Sequence, residues 1–177
     1  MFQIRWKEPL PLKMAPAIWK STALTVSKLT LDNSSGYIEM NNVTADVVEI
    51  ASSSGDVKLS DGKIDDFQIS TSSGYVTWKN TESEHISITA KSGEVNVSGL
   101  GDQTNAEVST SSGDIGISYE TPPQNLSFKI SSGSDDVSVR LDDASYTMET
   151  SACKQGKIGD GTYSLTVNSD SGTVVIH

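Results

Sequence analysis

The chain has 177 residues, of which 35% are hydrophobic and only 6% aromatic, and its formal net charge is −10. So few large apolar side chains cannot fill a wide globular core, whereas a narrow core of small and medium side chains suits this composition. The excess of 23 Asp and Glu over 13 Lys and Arg disfavours nucleic acid and anionic membranes as partners, because both attract clustered basic residues. With Cys153 as the single cysteine, an internal disulfide is excluded.

The N-terminal segment, residues 1–28, lacks the repeat that follows it and contains Pro9, Pro11 and Pro16. Because the open apolar end of a repeat array must be covered, we predict a cap over 1–28 and a single repeat domain over 29–177. No apolar run approaches the ~20 residues that cross a bilayer. Contact with a membrane is therefore expected only through a segment absent from this chain.

Glycine recurs at a fixed interval over the rest of the chain. Phrases such as SSGYIEM, SSGDVKL and SSGYVTW follow one another with their glycines 19 or 20 residues apart. These corner glycines are Gly36, Gly55, Gly74, Gly93, Gly113 and Gly133, with Gly172 near the C-terminus. Self-similarity at such a period is the signature of a solenoid.

Two strands of period two flank each corner glycine. Apolar residues stand two and four positions after the glycine and five and seven positions before it, with mainly polar residues between them. Alternate side chains of a strand share one face, so both strands are expected to face a common core. The predicted inward residues include Ile38, Val57, Val76, Val95, Ile115 and Val174 after the glycine, and Leu31, Ile50, Ile69, Ile88, Val108 and Val167 before it.

The corners and strands together predict a stacked fold. Glycine accepts positive φ and serine hydroxyls satisfy local backbone groups, so Ser-Ser-Gly allows a sharp turn in every coil. One short strand pair cannot bury its own apolar face, but stacked coils can. We predict an all-β, right-handed parallel β-helix or β-solenoid with two short strands per coil and about seven or eight coils. A β-meander is the competing topology.

Two segments interrupt the regular pattern. Gly133 is followed by two extra residues before the next apolar pair, which predicts a bulge. The phrase QGKIGDG around Gly156 predicts one irregular coil within residues 141–163.

The residues that directly follow the corner glycines form a polar column: Tyr37, Asp56, Tyr75, Glu94 and Asp114. Tyr37, Asp56 and Tyr75 are candidates for a ligand surface, because exposed aromatic rings beside carboxylates can stack on sugar rings, although tyrosine is also common in strands. Glu94 and Asp114 would be neighbours and are the candidate metal ligands, since Ca²⁺ prefers oxygen atoms. Solvent screening nevertheless allows two exposed carboxylates to coexist without an ion, and we expect no metal and no cofactor.

Catalysis is not expected from this sequence. His85 and His177 have no second histidine or cysteine at zinc-ligand spacing, and the nucleophile-elbow pattern GxSxG is absent. The enzymatic alternative is a calcium-assisted carbohydrate lyase of the β-helix type built on Glu94 and Asp114. Such an enzyme also needs a strong base near the metal, and the only arginines are Arg5 and Arg140.

The repeated corners and strands over about residues 25–177 resemble the bacterial adhesin domain of unknown function, a repetitive β-helix family found in envelope-stress and cell-surface proteins. The resemblance is clearest where FKISSGSDDVSV is followed by GKIGDGTYSLTVNSDSGTVVI. It implies a right-handed β-helix, an extracytoplasmic location at the cell surface or envelope, and no catalytic residues.

The favoured interpretation is therefore a non-catalytic, adhesin-like module that presents a repetitive β face to a cell-envelope glycan or protein. The alternatives are the carbohydrate lyase and a regulatory scaffold that pairs with an envelope protein. Short corners without long insertions favour the non-enzymatic functions, because active sites usually lie in clefts built by loops.

Overall fold

A computed structural model describes residues 4–6, 10–14, 18–134 and 136–177, with side chains from residue 18 onwards. All regular structure in this part of the chain is β-strand, and no helix is present that could span a membrane. The strands are β1 (Ile4–Trp6), β2 (Leu10–Met14), β3 (Trp19–Thr22), β4 (Leu24–Ser35), β5 (Ile38–Asn41), β6 (Thr44–Ser54), β7 (Val57–Ser60), β8 (Lys63–Ser73), β9 (Val76–Lys79), β10 (His85–Ser92), β11 (Val95–Leu100), β12 (Asn105–Ser112), β13 (Ile115–Tyr119), β14 (Leu126–Ser132), β15 (Val137–Val139), β16 (Ser145–Glu149), β17 (Cys153–Ile158), β18 (Tyr163–Ser171) and β19 (Val174–Ile176).

The strands form two sheets that face each other across one core. Sheet A runs in the order β1-β4-β6-β8-β10-β12-β18-β14-β17-β16, with β2 also paired to β4, and sheet B in the order β15-β19-β13-β11-β9-β7-β5-β3. Five successive turns, from β4–β5 to β12–β13, follow one another in chain order and pair in parallel. The predicted all-β solenoid is confirmed, while its handedness and the count of seven or eight coils stay predictions.

The register of the parallel strands follows the sequence repeat. Val57 pairs with Val76, Val76 with Val95, and Val95 with Ile115. Like residues therefore stack on like residues, and every predicted inward side chain named above is at most 3% exposed. Trp78 is the largest of the fully buried side chains and meets the ring of Phe67 edge-on, with centroids 4.9 Å apart.

Two columns of residues with positive φ form the corners of the coil. The corner glycines carry φ of 119° to 156° from Gly36 to Gly113. At the opposite corner, φ lies between 44° and 69° in residues spaced 19 apart, namely Ala23, Asn42, Asp61, Asn80 and Gly99. Asparagine, aspartate and glycine tolerate this left-handed conformation better than other residues. The backbone of the opposite corner therefore has the same conformation in each of these coils, although its sequence varies.

The C-terminal coil is inserted between two earlier coils. Strand β18 lies between β12 and β14, and β19 lies between β13 and β15. The two extra residues after Gly133 explain this order: they displace that glycine so that it faces Asp170, whereas Gly172 stacks directly on Gly113. The regular coil thus lies inside the stack, and the coil with the longer corner has a regular coil on one side and the segment that contains β17 on the other.

The bulge predicted after Gly133 is a turn in the structure, and the register of β15 shows where the extra residues go. Val137 pairs with Val174 and Val139 with Ile176, although Val137 follows its glycine by four residues and Val174 by two. The Gly133 N–H donates to the Ser169 carbonyl (2.9 Å), and the Ser134 N–H donates to Ser132 Oγ (3.1 Å). The extra residues are absorbed in a turn between the two strands.

The irregular coil predicted within residues 141–163 is wrong, because β16 and β17 form an antiparallel hairpin. Strand β17 pairs antiparallel with β14 and with β16. Within residues 141–163, Gly156 and Ile158 are the buried residues, so this segment lacks the pairs of inward apolar residues that a coil requires. The ring of Tyr146 instead packs edge-on against Phe128, with centroids 5.5 Å apart, and the hairpin extends sheet A beyond the last coil.

The predicted N-terminal segment adds strands to both sheets. Strands β1 and β2 pair with β4, and β3 pairs with β5. The boundary predicted between residues 28 and 29 falls inside β4, which runs Leu24–Ser35. Since Pro9 and Pro16 lie outside the described residues, and Pro11 is described only in its strand, the capping role of this segment stays a prediction.

The hydroxyl of Tyr119 is buried at the end of β13 without a hydrogen-bond partner, and burial raises its pKa far above the ordinary value of 10. Because the pKa of Tyr119 is higher in the folded chain than in the unfolded chain, its contribution to stability is complete below the pKa of the unfolded chain. This contribution is lost as the pH rises above that value. We expect the chain to lose stability above about pH 10, and Tyr119→Phe to remove this loss and to leave stability at pH 7 equal or higher. Urea unfolding of both chains at pH 7 and pH 11 measures the difference; an equal loss in the two chains would contradict it.

Candidate functional site

The outer face of sheet A contains a groove of about 520 Å³. Five neighbouring strands contribute to it: β6, β8, β10, β12 and β18. Its polar lining residues are Glu49, Asp66, Gln68, His85, Ser87, Asn105, Glu107, Ser164 and Thr166. These side chains form two parallel rows, because residues paired in register on adjacent parallel strands stand side by side.

Two of the strands that line the groove, β6 and β8, bend beside it. Along β6 the buried residues Ala45 and Val48 are three positions apart, and along β8 the same holds for Ile64 and Phe67. Because the side-chain period of a strand is two, an interval of three requires the backbone to bend between them. Val47 and Asp66, at one end of the groove, lie within this interval, and His85 stands beside Asp66 on β10.

The groove offers hydrogen-bonding groups at the spacing of the strands. Glu49 is held at one end by Lys28 Nζ (2.7 Å) and the Thr30 hydroxyl (3.4 Å). At the other end Asn105 Oδ1 accepts hydrogen bonds from the N–H and the hydroxyl of Ser164, both at 3.0 Å. Between these fixed ends stand an amide, an imidazole, a hydroxyl and two carboxylates, which together can donate to and accept from a ligand rich in hydroxyl groups.

A second groove, of about 390 Å³, lies on the other side of the bend. Carboxylates dominate it, since Asp65, Glu82, Glu84, Asp102 and Glu120 all line it. Its lysine, Lys63, lies 3.3 Å from Glu82. Part of the large negative charge of the chain is therefore concentrated along this edge, where it favours solubility.

The predicted column after the corner glycines exists, on the side of sheet B. Tyr75 is 58% exposed, whereas Tyr37 is half-buried with Lys20 Nζ 5.8 Å from its ring centroid. A hydrogen bond between Lys20 and Glu39 (2.7 Å) lowers the pKa of Glu39 and raises that of Lys20. Asp56 Oδ1 accepts a hydrogen bond from the Tyr75 N–H (2.9 Å). Side chains of the column thus contact the neighbouring coils, and the role of the column as a ligand surface stays a prediction.

Glu94 and Asp114 are neighbours, as predicted, since Val95 and Ile115 pair in register. Asp114 Oδ1 accepts a hydrogen bond from the Thr173 N–H (2.8 Å), on the far side from Glu94. Within the part of the chain that the structure describes, no group of three or more His, Cys, Asp or Glu side chains is arranged to hold a metal ion. The two carboxylates alone do not form a calcium cage, and the expectation that no metal binds there stays a prediction.

Sequence reasoning missed two features of the coil. His85 was considered only as a zinc ligand and rejected, but it is the exposed first residue of β10 and lies in the sheet A groove. The inward position three residues before the corner glycine is buried and mainly polar. Its polar members are Asn33, Ser52, Thr71, Thr110 and Ser169, and its apolar ones are Ala90 and Ile130. Thr71 donates to the Ser73 carbonyl and Thr110 to the Gly113 carbonyl, both at 3.1 Å. The alternation of the strands was a sufficient signal for both.

Comparison with known proteins gives one match. No curated protein and no solved structure matches the chain. The model of the Toastrack DUF4097 family matches residues 10–177. This confirms the predicted resemblance to a domain of unknown function, whereas the association with adhesins and envelope stress stays a prediction. Because the match covers nearly the whole chain, the protein belongs to the Toastrack DUF4097 family.

Proposed function

We propose that this chain is a non-catalytic, extracytoplasmic binding module that holds an extended cell-envelope glycan in the groove of sheet A. The observation that carries the proposal is the groove itself, in which side chains from five adjacent strands stand in two rows. In this proposal the coil is right-handed, as parallel crossovers almost always are, and has seven or eight turns. The location rests on the resemblance of its corners to those of cell-surface proteins.

The composition of the groove favours a glycan over a protein partner. Sites on protein partners are enriched in exposed aromatic residues and methionine. The large hydrophobic residues that are exposed in the described part of the chain are Ile18, Tyr75 and Met148, and none of them lines the groove. Amides, carboxylates and hydroxyls line it instead, and such groups can pair with sugar hydroxyls. A protein partner that binds elsewhere remains the alternative function.

The rigidity of the sheet supports binding without a large loss of entropy. The lining strands are paired on both sides along most of their length, and the core behind them is formed by Phe67, Ile86 and Ala106. A surface already ordered in the free protein retains more of the interaction energy as affinity. We therefore expect a glycan of several sugar units to bind along the row from Glu49 to Thr166.

A panel of soluble cell-envelope polysaccharide and peptidoglycan fragments tests the proposal. We expect at least one fragment to bind, and Ser87→Arg, which places a long side chain in the middle of the groove, to weaken that binding tenfold or more. Thr89→Arg is the matched control, since Thr89 faces outward on the same strand two residues away, outside the groove; it should change affinity less than twofold. The absence of any binding fragment, or equal effects of the two variants, would contradict the proposal.

The same fragments test the absence of catalysis. After prolonged incubation with the protein, with and without Ca²⁺, we expect their mass spectra to be unchanged. Shortened products that depend on Ca²⁺ would support the lyase alternative instead.

A further inference from the structure

The C-terminal coil, defined here as β18 and β19, joins two parts of the molecule that otherwise share no strand pairing in the described residues. On one side β18 pairs with β12 and β19 with β13. On the other side β18 pairs with β14 and β19 with β15. Without this coil, both sheets would have a gap one strand wide between the fifth turn and the last one.

The contacts of this coil with its gap are specific on both sides. Towards the fifth turn, the hydroxyl oxygens of Thr110 and Ser169 lie within hydrogen-bonding distance of each other (3.1 Å), and the Thr173 N–H donates to Asp114 Oδ1 (2.8 Å). Towards the last turn, Ser131 Oγ donates to Asn168 Oδ1 (2.8 Å), and Thr173 Oγ1 donates to Asp136 Oδ2 (3.0 Å). These contacts depend only on the sequences of coil and gap, so a coil from another copy of the chain can make all of them.

The covalent link to the coil is short and contains two glycines. Residues 159–162 connect β17 to β18 across the beginning of β14, with φ of 56° at Gly159 and 73° at Gly161. Asn125 holds the link through its Oδ1, which accepts the Asp160 N–H (3.2 Å), and through its carbonyl, which accepts the Tyr163 N–H (3.1 Å). A change of backbone angles at these glycines redirects the coil without altering any strand.

We propose that the gap is an acceptor site for the C-terminal coil of a second copy, so that two chains exchange β18 and β19 reciprocally. The exchanged dimer retains every contact of the monomer and changes only the link, which makes such swapping a low-cost route to dimers. Because the strand contacts are equal in the two forms, protein concentration during folding sets the proportion of dimer. The proposal does not rest on glycan binding, although the exchanged strand β18 contributes Ser164 and Thr166 to the groove.

A pair of cysteines across the junction distinguishes exchange from other association. Ser109 and Asn168 pair in register on β12 and β18, close enough for a disulfide between neighbouring strands. The full chain with Ser109→Cys, Asn168→Cys and Cys153→Ser is unfolded in urea, refolded at a range of concentrations, oxidised and examined on a non-reducing gel. We expect covalent monomer at low concentration and an increasing share of covalent dimer at high concentration.

The matched control places the pair inside the sequential turns. Ser70→Cys with Thr89→Cys, again with Cys153→Ser, spans β8 and β10, whose residues also pair in register; it should give covalent monomer at every concentration. The unmodified chain, refolded in the same way, should show a dimer by light scattering at high concentration, which decides the question if a cysteine variant does not fold. A monomer at every concentration, or equal covalent dimer from both pairs, would overturn the proposal.

Discussion

Replacing Gly74 by alanine is expected to lower the free energy of unfolding by about 3 kcal/mol or more. Gly74 has φ of 120°, a conformation that residues with a Cβ avoid. An added Cβ would also collide with the carbonyl oxygen of Gly55 and lie 2.7 Å from its carbonyl carbon. The corner glycines stack directly on one another, so the backbone of the next coil cannot move away without breaking its own strand pairing.

Urea unfolding of the variant measures this loss, and Gly116→Ala is its matched control. Gly116 lies in β13 and has open space around the position of a Cβ. Alanine there should leave stability unchanged or raise it by up to about 1 kcal/mol, because glycine is unfavourable within a strand. Equal losses in the two variants would show that the corners do not require glycine.

Replacing Val167 by aspartate is expected to separate the last part of the molecule from the first five turns. Val167 is 1% exposed and pairs with Val108 on one side and Ile130 on the other. A carboxylate in this apolar position costs about 4 kcal/mol or more. In a stack where each coil contacts only its neighbours, the loss of strand pairing should be confined to the contact between β12 and β18 and to the strands β14 to β19.

Hydrogen exchange of the backbone amides reports where protection is lost. For Val167→Asp we expect faster exchange in β14 to β19, with β6, β8 and β10 still protected. Thr166→Asp is the control, because Thr166 is the exposed neighbour on the same strand and should leave exchange in all these strands unchanged. Loss of protection along the entire chain in Val167→Asp would contradict the local character of the junction.

The regular part of the fold was predictable from the sequence because one rule applies in every coil. A corner glycine followed by alternating apolar residues fixes both the direction of the side chains and the parallel register, and Ile38, Val57 and Val76 lie where that rule placed them. Stacking of identical corners then leaves a single way to pair the strands.

The order of the coils at the C-terminus could not be predicted from the same rule. The order of the coils depends on which of two corner glycines, Gly133 or Gly172, stacks on Gly113. The hairpin of β16 and β17 was missed for a related reason: antiparallel pairing on the edge of a sheet needs no repeat and leaves little periodic signal in a short segment.

The candidate site was harder to predict than the fold. The groove lies beside the bend between Ala45 and Val48, and the three-residue interval was visible in the sequence, but the shape of the outer face was not. His85, Gln68 and Glu107 lie on different coils, and only the register brings them to one surface. The column after the corner glycines was easier to notice because it adjoins the most regular element of the repeat.

The most direct test of the binding surface is a map of backbone amide shifts by NMR during titration with the glycan fragment that binds most tightly. We predict that the largest shifts lie in β6, β8, β10 and β12 around Glu49, Gln68 and Ser87. Shifts concentrated at Tyr37 and Tyr75, or no shifts at saturating glycan, would contradict the assignment of the groove as the glycan-binding site.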